Sequence, residues 1–408
     1  MPGHMFTGFR ARVESGAVRL SFYLTTPLFE SKRSGKRPLR IRIYRNTESR
    51  FAFGKDYEEY FGGLGPGKAG VAFEGYLPAI NRRKYEYLDR EVRTGSTYAY
   101  WVTSDRATQP TGPVPVRVRD TRIWWPQSAV EERLAALAEA HGKVVSLKRY
   151  GRTVGGRPIV GVVAGITTNL MALVGTIHAG ESGPELAIPA LERLLEEDPA
   201  ILERAGLAML PNVNIDERER MVAGCPWYLR VNMRGVDLNR NFNADWKEVD
   251  CGYGLVSSDP DAVTYRGPWP ASEPETRAVV SFLEHAKPRA VLSYHALASI
   301  TGAMLLAPGA AEGDRAFAAE CRAIARRFTR GFYPEERAVK LAFGATPGSL
   351  PAYAYRRFRV PAFDLEWDGN PDAKPSHADK TTCGLLETYQ DRHYRGIVAV
   401  LEFLAARH

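Results

Sequence analysis

LMALVGTIHAGE, residues 170–181, is the stretch on which the reading of this chain turns. Its first part is an unbroken apolar run, the mark of a strand buried on both faces. Its last part is His178-Ala179-Gly180-Glu181. Side chains at the exit of such a strand point into the crevice where open α/β sheets place their ligands. An imidazole and a carboxylate three residues apart around that turn can converge on one ion. Both suit zinc, and a catalytic zinc needs only three protein ligands, the fourth position being left for water. A lone His-x-x-Glu often arises by chance, so a further ligand has to come from elsewhere in the chain.

Working outward, two more strand ends carry matching chemistry. VLSYH closes on His295, and PAFDLEW carries Glu366 near its end. Of eight histidines, His178 and His295 alone end apolar strands. His141, followed by a glycine, reads as a helix C-terminal residue whose charge suits the dipole there. His285 reads as solvated on a helix close to a lysine, and His4, His377, His393 and His408 lie in terminal or polar contexts. Between the metal segments runs Arg230-Val-Asn-Met-Arg-Gly-Val-Asp237-Leu-Asn239-Arg240-Asn241-Phe242. An amide beside a guanidinium makes a fork for a carboxylate, although on its own DLNRN reads equally as a polar turn.

From about Trp124 onward strands alternate with helices. SAVEERLAALAEAH, residues 128–141, has 3.6-residue apolar spacing with Ser128 as its N-cap. VVSLKRYG and PIVGVVAG read as a hairpin, and GLAMLPNVN, AVLSYHA and PAFDLEW as buried strands. PELAIPALERLLEED, ETRAVVSFLEHA, DRAFAAECRAIARRF and HYRGIVAVLEFLAA read as helices. This alternation predicts an α/β sheet covered by helices. Residues 8 to 120 have another rhythm. VRLSFYLTT, PLRIRIYRN, GVAFEGYL and STYAYWVTS alternate apolar and polar residues, as half-buried strands do. With 408 residues, two domains are expected, and the change of rhythm divides them into 1–122 and 123–408.

The totals exclude several classes. No run of about 18 apolar residues is present, so no membrane span is expected. The net charge of +8 comes from arginines scattered along the chain rather than from a dense basic run. That favours anionic partners in general and argues against nucleic acid. Four cysteines without a CxxC give neither a disulfide scaffold nor a cysteine zinc site. Cys225 and Cys251 flank the motif-rich segment and are candidates to pair, and Cys321 reads as a small buried side chain. The opening MPGHMFTGFRARVES has no basic start followed by an apolar stretch. The expectation is therefore a cytoplasmic chain by default, or a secreted one whose leader has been removed.

Taken together, these pieces match a family. RYGRTVGGRPIVGVVAG, HAGE, RVNMRGVDLNRNF, YRGPWPASEPET, SYHA and FDLEW occur in the order seen in zinc carboxypeptidases of peptidase family M14. The chain resembles that family from about Trp124 to its C-terminus. Ahead of it, REVRTGSTYAYWVTSDRATQPTGPVPVRVRD resembles the last strands of a fibronectin type III domain, a β-sandwich. The resemblances imply a mixed central sheet flanked by helices, preceded by an all-β sandwich.

They also imply roles. His178, Glu181 and His295 match the ligands of one zinc ion. Asn239 and Arg240 match the pair that grips the substrate's terminal carboxylate. Arg230 matches the arginine that stabilises the oxyanion, and Arg234 is its competitor, less favoured on spacing. Asp237 matches the carboxylate that orients a zinc histidine. In FDLEW both acids are candidates for the general base; setting Phe363 opposite the family's aromatic leaves Glu366 at the catalytic place and Asp364 as a helper on the same face. Phe343 takes the place of the family's mobile substrate-contacting tyrosine, and Leu350 the place that favours an apolar substrate side chain.

The implied activity is that of a zinc metallocarboxypeptidase, in which water activated by zinc cleaves the amide next to a free C-terminal carboxylate. The implied partner is a peptide with that free end. One alternative is a peptidase or amidase of the same family that trims cell-wall or acidic γ-linked peptides. Another, of a different class, is a catalytically silent binding protein.

Overall fold

The computed structural model describes residues 5–25, 38–48, 63–181, 183–247, 255–295, 303–333, 339–367 and 383–407. The pairing of Cys225 with Cys251 lies outside them, because Cys251 is not included. The chain forms two compact units. One comprises residues 1–121 with 220–228, and the other 122–219 with 229–408.

The first unit is a sandwich. Strands β1 (Phe6–Glu14), β2 (Ala17–Leu24) and β5 (Lys84–Asp89) make one antiparallel sheet in the order β1-β2-β5. Strands β3 (Leu39–Glu48), β4 (Gly70–Leu77), β6 (Thr97–Ser104) and β7 (Thr111–Arg117) make the other, in the order β4-β3-β6-β7. Alternate residues of each face one core, with Val18, Leu20 and Phe22 of β2 clustered with Ile41, Ile43, Tyr100 and Val102. The sheets also share a buried polar tie. Asp89 of β5 accepts hydrogen bonds from Arg45 of β3 (2.8 Å to Oδ1 and 2.7 Å to Oδ2) and from the Tyr100 hydroxyl of β6 (2.9 Å). Strands β1 and β5 were not expected from the sequence. β1 is rich in arginine and its register shifts between Thr7 and Arg10, while KYEYLD alternates tyrosines with charges over only six residues.

The second unit holds an eight-stranded mixed sheet in the order β14-β13-β15-β12-β10-β11-β9-β8. Its strands are β8 (Val145–Arg152), β9 (Pro158–Ala164), β10 (Leu170–Val174), β11 (Gly206–Leu210), β12 (Ala290–Tyr294), β13 (Ala303–Pro308), β14 (Lys340–Ala345) and β15 (Ala362–Trp367). β8 and β9 form the expected hairpin. Every residue of β10, β11 and β12 is buried, as strands covered on both faces require. Flanking helices are α1 (Gln127–Ala140), α2 (Pro184–Glu197), α3 (Ile215–Val222), α4 (Pro274–Ala286), α5 (Arg315–Phe332), α6 (Leu350–Phe358) and α7 (Cys383–Ala405). Among the described residues no helix is long and apolar enough to cross a membrane.

Some local expectations are corrected. α1 starts at Gln127 rather than after a Ser128 cap, and its first N–H is held by the distant carboxylate of Glu219 (2.8 Å). His393 is fully buried on α7, its ring 5.2 Å from Tyr294 and 4.9 Å from Phe332, and burial drops it to a pKa of about 4. A tertiary apolar pocket has overridden its polar sequence context.

Strands β10, β12 and β15 are parallel, with Val174 opposite Ser293 and Ser293 opposite Asp364. Their C-terminal ends therefore emerge side by side. The chain puts β11 on one side of β10 and β12 on the other, a reversal of the kind that opens a crevice above the strand ends.

Near that edge, Arg218 of α3 and Glu185 of α2 form an ion pair in which both side chains are 0% exposed. Glu185 also accepts the Trp125 N–H (2.8 Å) and the Gly183 N–H (3.2 Å), while Arg218 lies 4.2 Å over the Trp124 ring. Removing one member strands the other charge without solvent. Arg218→Ala is expected to lower the unfolding free energy of the metal-free protein by about 3–5 kcal/mol, measured by urea denaturation, and Arg218→Met with Glu185→Leu to lower it clearly less.

Candidate metal centre

His178 lies four residues past β10 rather than at its last position, because the strand gives way to a loop at Gly175. This loop is pinned from several sides. A Cβ at Gly175 would sit 2.3 Å from the Pro211 carbonyl oxygen, so only glycine fits. Thr176 has φ of +47°, a costly value for a β-branched residue, and its hydroxyl donates to Asn212 Oδ1 at 2.6 Å. Asn214 N–H donates to the Thr176 carbonyl and Gly180 N–H to that of Leu229. Arg218 Nη1 donates to the carbonyls of Ala179 (3.2 Å) and Glu181 (3.0 Å). The metal loop is thus held by a guanidinium whose place in the charged run DERER carries no local sign of that role.

His295 follows the last residue of β12, and its N–H donates to the Leu365 carbonyl of β15 (2.9 Å). The structure brings His178, Glu181 and His295 together as a buried group with its donor atoms clustered. His178 Nδ1 is 3.1 Å from both carboxylate oxygens of Glu181. His295 Nδ1 is 2.9 Å from Glu181 Oε2 and 3.3 Å from His178 Nδ1. Atoms bound tetrahedrally at 2.0–2.2 Å lie about 3.3–3.6 Å from one another, so this triangle contracts only slightly from the spacing that zinc needs.

The far side of each imidazole is supported. His178 Nε2 is 3.1 Å from Asp237 Oδ1. Asp237 Oδ2 in turn accepts from Arg230 Nε (2.9 Å) and faces Arg230 Nη2 (2.8 Å). His295 Nε2 lies 2.9 Å from Ser293 Oγ and 3.2 Å from Asp364 Oδ1. A carboxylate behind a ligating histidine fixes its ring and raises its basicity.

Electrostatics point the same way. Burial works against the Glu181 carboxylate, yet His178 and His295 hold it well below the usual range. Burial likewise opposes Asp237, which Arg230, Arg240 and His178 pull far down. His295 resists burial and lies well above its ordinary value because Asp364 and Glu181 face it. Four carboxylates (Glu181, Asp237, Asp364, Glu366) here face two guanidiniums (Arg230, Arg240). With the imidazoles neutral, as ligation requires, this is a deficit of two positive charges, which one zinc ion would supply. The residues present fit that ion in atom type, spacing and charge.

Glu366 is set beside His295 by the pairing of β12 with β15. Its Oε2 is buried and has no hydrogen-bond partner among the described residues. Burial pushes its pKa up to about 7, with His295 opposing and Glu181 and Asp364 assisting. Asn239 Nδ2 donates to Asp364 Oδ2 (3.0 Å), and Asn239 Oδ1 accepts the Leu350 N–H (2.9 Å). Arg240 is 6% exposed and donates through Nε to the Leu255 carbonyl (3.1 Å) and through Nη1 to that of Asn239 (3.0 Å). Gly348 has φ of +71°, and a Cβ there would come 2.3 Å from the Arg240 carbonyl oxygen, so the 346–350 turn can press against the amide–guanidinium pair.

Other expected residues fall elsewhere. Arg234 is 55% exposed and its nearest acid is Glu273 at 3.7 Å, so of the two arginines only Arg230 joins the group. Phe343 points away: its ring lies under Arg322 of α5 at 5.3 Å, on edge strand β14, which β13 and β15 separate from β12. Leu350 is fully buried in the main core, so its link to the site is its backbone N–H rather than a wall of a side-chain pocket. Ser293 escaped the sequence reading, although its place two residues before His295 puts it on the same side of the strand.

The family model of zinc carboxypeptidases matches residues 130–374. The chain is 31% identical over 153 residues to murein peptide amidase A of Escherichia coli strain K12, covering 36% of this chain and 58% of that one. It is 32% identical over 191 residues to human carboxypeptidase A6, covering 42% of each. The chain thus matches about half the length of these relatives. Its fold resembles that of carboxypeptidase A from Helicoverpa armigera, with a TM-score of 0.57 at 16% identity over 90% of this chain and 98% of that one. With the family model spanning well over half of the sequence and the ligand-type residues converging within it, this chain belongs to the zinc carboxypeptidase family.

Proposed function

We propose that this protein is a zinc-dependent carboxypeptidase that hydrolyses the amide bond next to a free C-terminal carboxylate. The observation that carries the reading is Glu366: a carboxylate whose Oε2 is buried and has no hydrogen-bond partner among the described residues, set beside a three-residue ligand group. A buried carboxylate oxygen left without a partner is costly. A zinc ion on His178, Glu181 and His295 would supply Lewis acidity and an acidic water.

The chain's own groups then divide the work. Glu366 takes a proton from the attacking water and returns it to the leaving amine. Its pKa near 7 suits both transfers, and a neighbouring dication would keep it ionised at the start. Arg230 keeps one edge of its guanidinium on Asp237 and turns donors to the developing oxyanion. Arg240 and Asn239 grip the substrate's free carboxylate, which sets the last amide in register. Asn239 is oriented for this by Asp364 and Leu350, which occupy one N–H and the carbonyl oxygen and leave the second N–H to the ligand.

The likeness to a murein peptide amidase supports a second reading, in which the free carboxylate belongs to a cell-wall or γ-linked acidic peptide. The net charge of +8 is compatible with such acidic substrates. Parallel digests of a random peptide pool and a muropeptide preparation, read by mass spectrometry, separate the two.

Glu366→Gln is expected to lower kcat by about 10²- to 10⁴-fold while the bound metal stays at one per chain by elemental analysis. Loss of metal in that variant would reassign Glu366 as a ligand. For Arg240→Ala, KM on peptides with a free C-terminus should rise far more than kcat falls. Matched amidated peptides should be poor substrates of the native enzyme, and equal turnover of the two would remove the carboxylate clamp from the mechanism.

A further inference from the structure

Away from the metal centre, helix α5 and strand β14 border an open cleft of about 500 Å³. Val339, Leu341 and Phe343 give it an apolar floor, while Arg322, Arg326 and Arg330 stand along it. No carboxylate lines the cleft among the described residues. The three arginines are exposed and sit four residues apart, so they share one face of α5. None has an ion-pair partner among the described residues. Elsewhere on this unit exposed arginines do pair, Arg356 with Asp245 and Arg407 with Glu320.

Strand β14 adds a second feature. It is the last strand of the eight-stranded sheet and pairs only with β13 among the described residues. Its outer backbone groups are a template for one more strand. α5 connects the parallel strands β13 and β14, so its axis runs roughly along them. Successive arginines are therefore about 6 Å apart along the strand direction. Side chains on one face of an extended strand repeat at about 6.7 Å. Over three positions the mismatch is roughly 1.4 Å, well within the reach of a guanidinium.

We propose that this cleft docks an extended acidic polypeptide segment, which adds to the free edge of β14 and sets carboxylates at alternate positions against Arg322, Arg326 and Arg330. Glutamate suits these positions better than aspartate, since its longer stem can lie on Leu341 and Phe343. Charge-assisted bonds from the arginines set the sign of the partner, and the strand edge sets its conformation. The proposal is independent of the catalytic reading, because no residue of the metal centre lines the cleft.

The test is fluorescence anisotropy of the full chain with a labelled, C-terminally amidated peptide in which glutamate alternates with threonine and valine. The amide keeps the peptide from competing as a free C-terminus. The expected result is saturable binding that falls at least about tenfold in Arg322→Glu/Arg326→Glu/Arg330→Glu and weakens with salt. Methylating alternate backbone nitrogens of the peptide should abolish it. Hydrolysis of a short peptide substrate and the circular dichroism spectrum should not change in the variant. If these do change, the milder Arg322→Gln/Arg326→Gln/Arg330→Gln is measured for the same loss of binding. Four outcomes would overturn the proposal: no saturable binding, binding unaltered by both sets of arginine replacements, equal binding of the methylated peptide, or equally tight binding of heparin.

Discussion

Two imidazoles and a carboxylate, buried and drawn to within 3.3 Å of one another, are costly to assemble. Such a cluster persists only if every charge has a partner. Here the partners form a relay. Asp237 stands behind His178 and Arg230 behind Asp237, while Ser293 and Asp364 stand behind His295, and Asn239 behind Asp364. Glu366 keeps its Oε2 without a hydrogen-bond partner among the described residues. The ring of support has its gap where chemistry would take place.

The sheet places these groups before any side chain acts. Because β10, β12 and β15 run parallel and in step, three segments far apart in sequence present their ends along one edge. The loop after β10 adds its own geometry, with a glycine against a carbonyl, a threonine in left-handed backbone and a buried arginine on two carbonyls. Glu181 is therefore aimed by its backbone as much as by its neighbours. Entropy that would otherwise oppose gathering three ligands has been settled by the fold itself.

Much of this was legible in the residues. Continuous apolar runs such as LMALV and AVLSY announce strands covered on both sides, and His178, Glu181 and His295 follow the ends of those strands. The polar alternation of the first unit announces its sheets. What stayed hidden depends on tertiary partners. Arg218 sits in the charged run DERER and looks solvated, yet it is buried because Glu185 and Trp124 reach it from other segments. Phe343 falls at a meaningful count from Gly348, but the pleat of β14 turns it toward α5. His393 looks polar by its neighbours and is buried by Phe332 and Tyr294, which no local window contains.

Residues 220–228 belong to the first unit although the chain on both sides of them belongs to the second. Their carbonyls at Ala223 and Gly224 accept the N–H groups of Val13 and Arg117, and those of Met221 and Cys225 accept Arg119. The backbone thus crosses between the units at three points instead of one. A protein shortened to begin at residue 122 would carry this nine-residue excursion with its acceptors bared and nothing to meet them. The peptidase body is therefore not an excisable cassette. The sandwich is completed by a segment from the middle of the second unit's sequence, so no single cut of the chain separates the two.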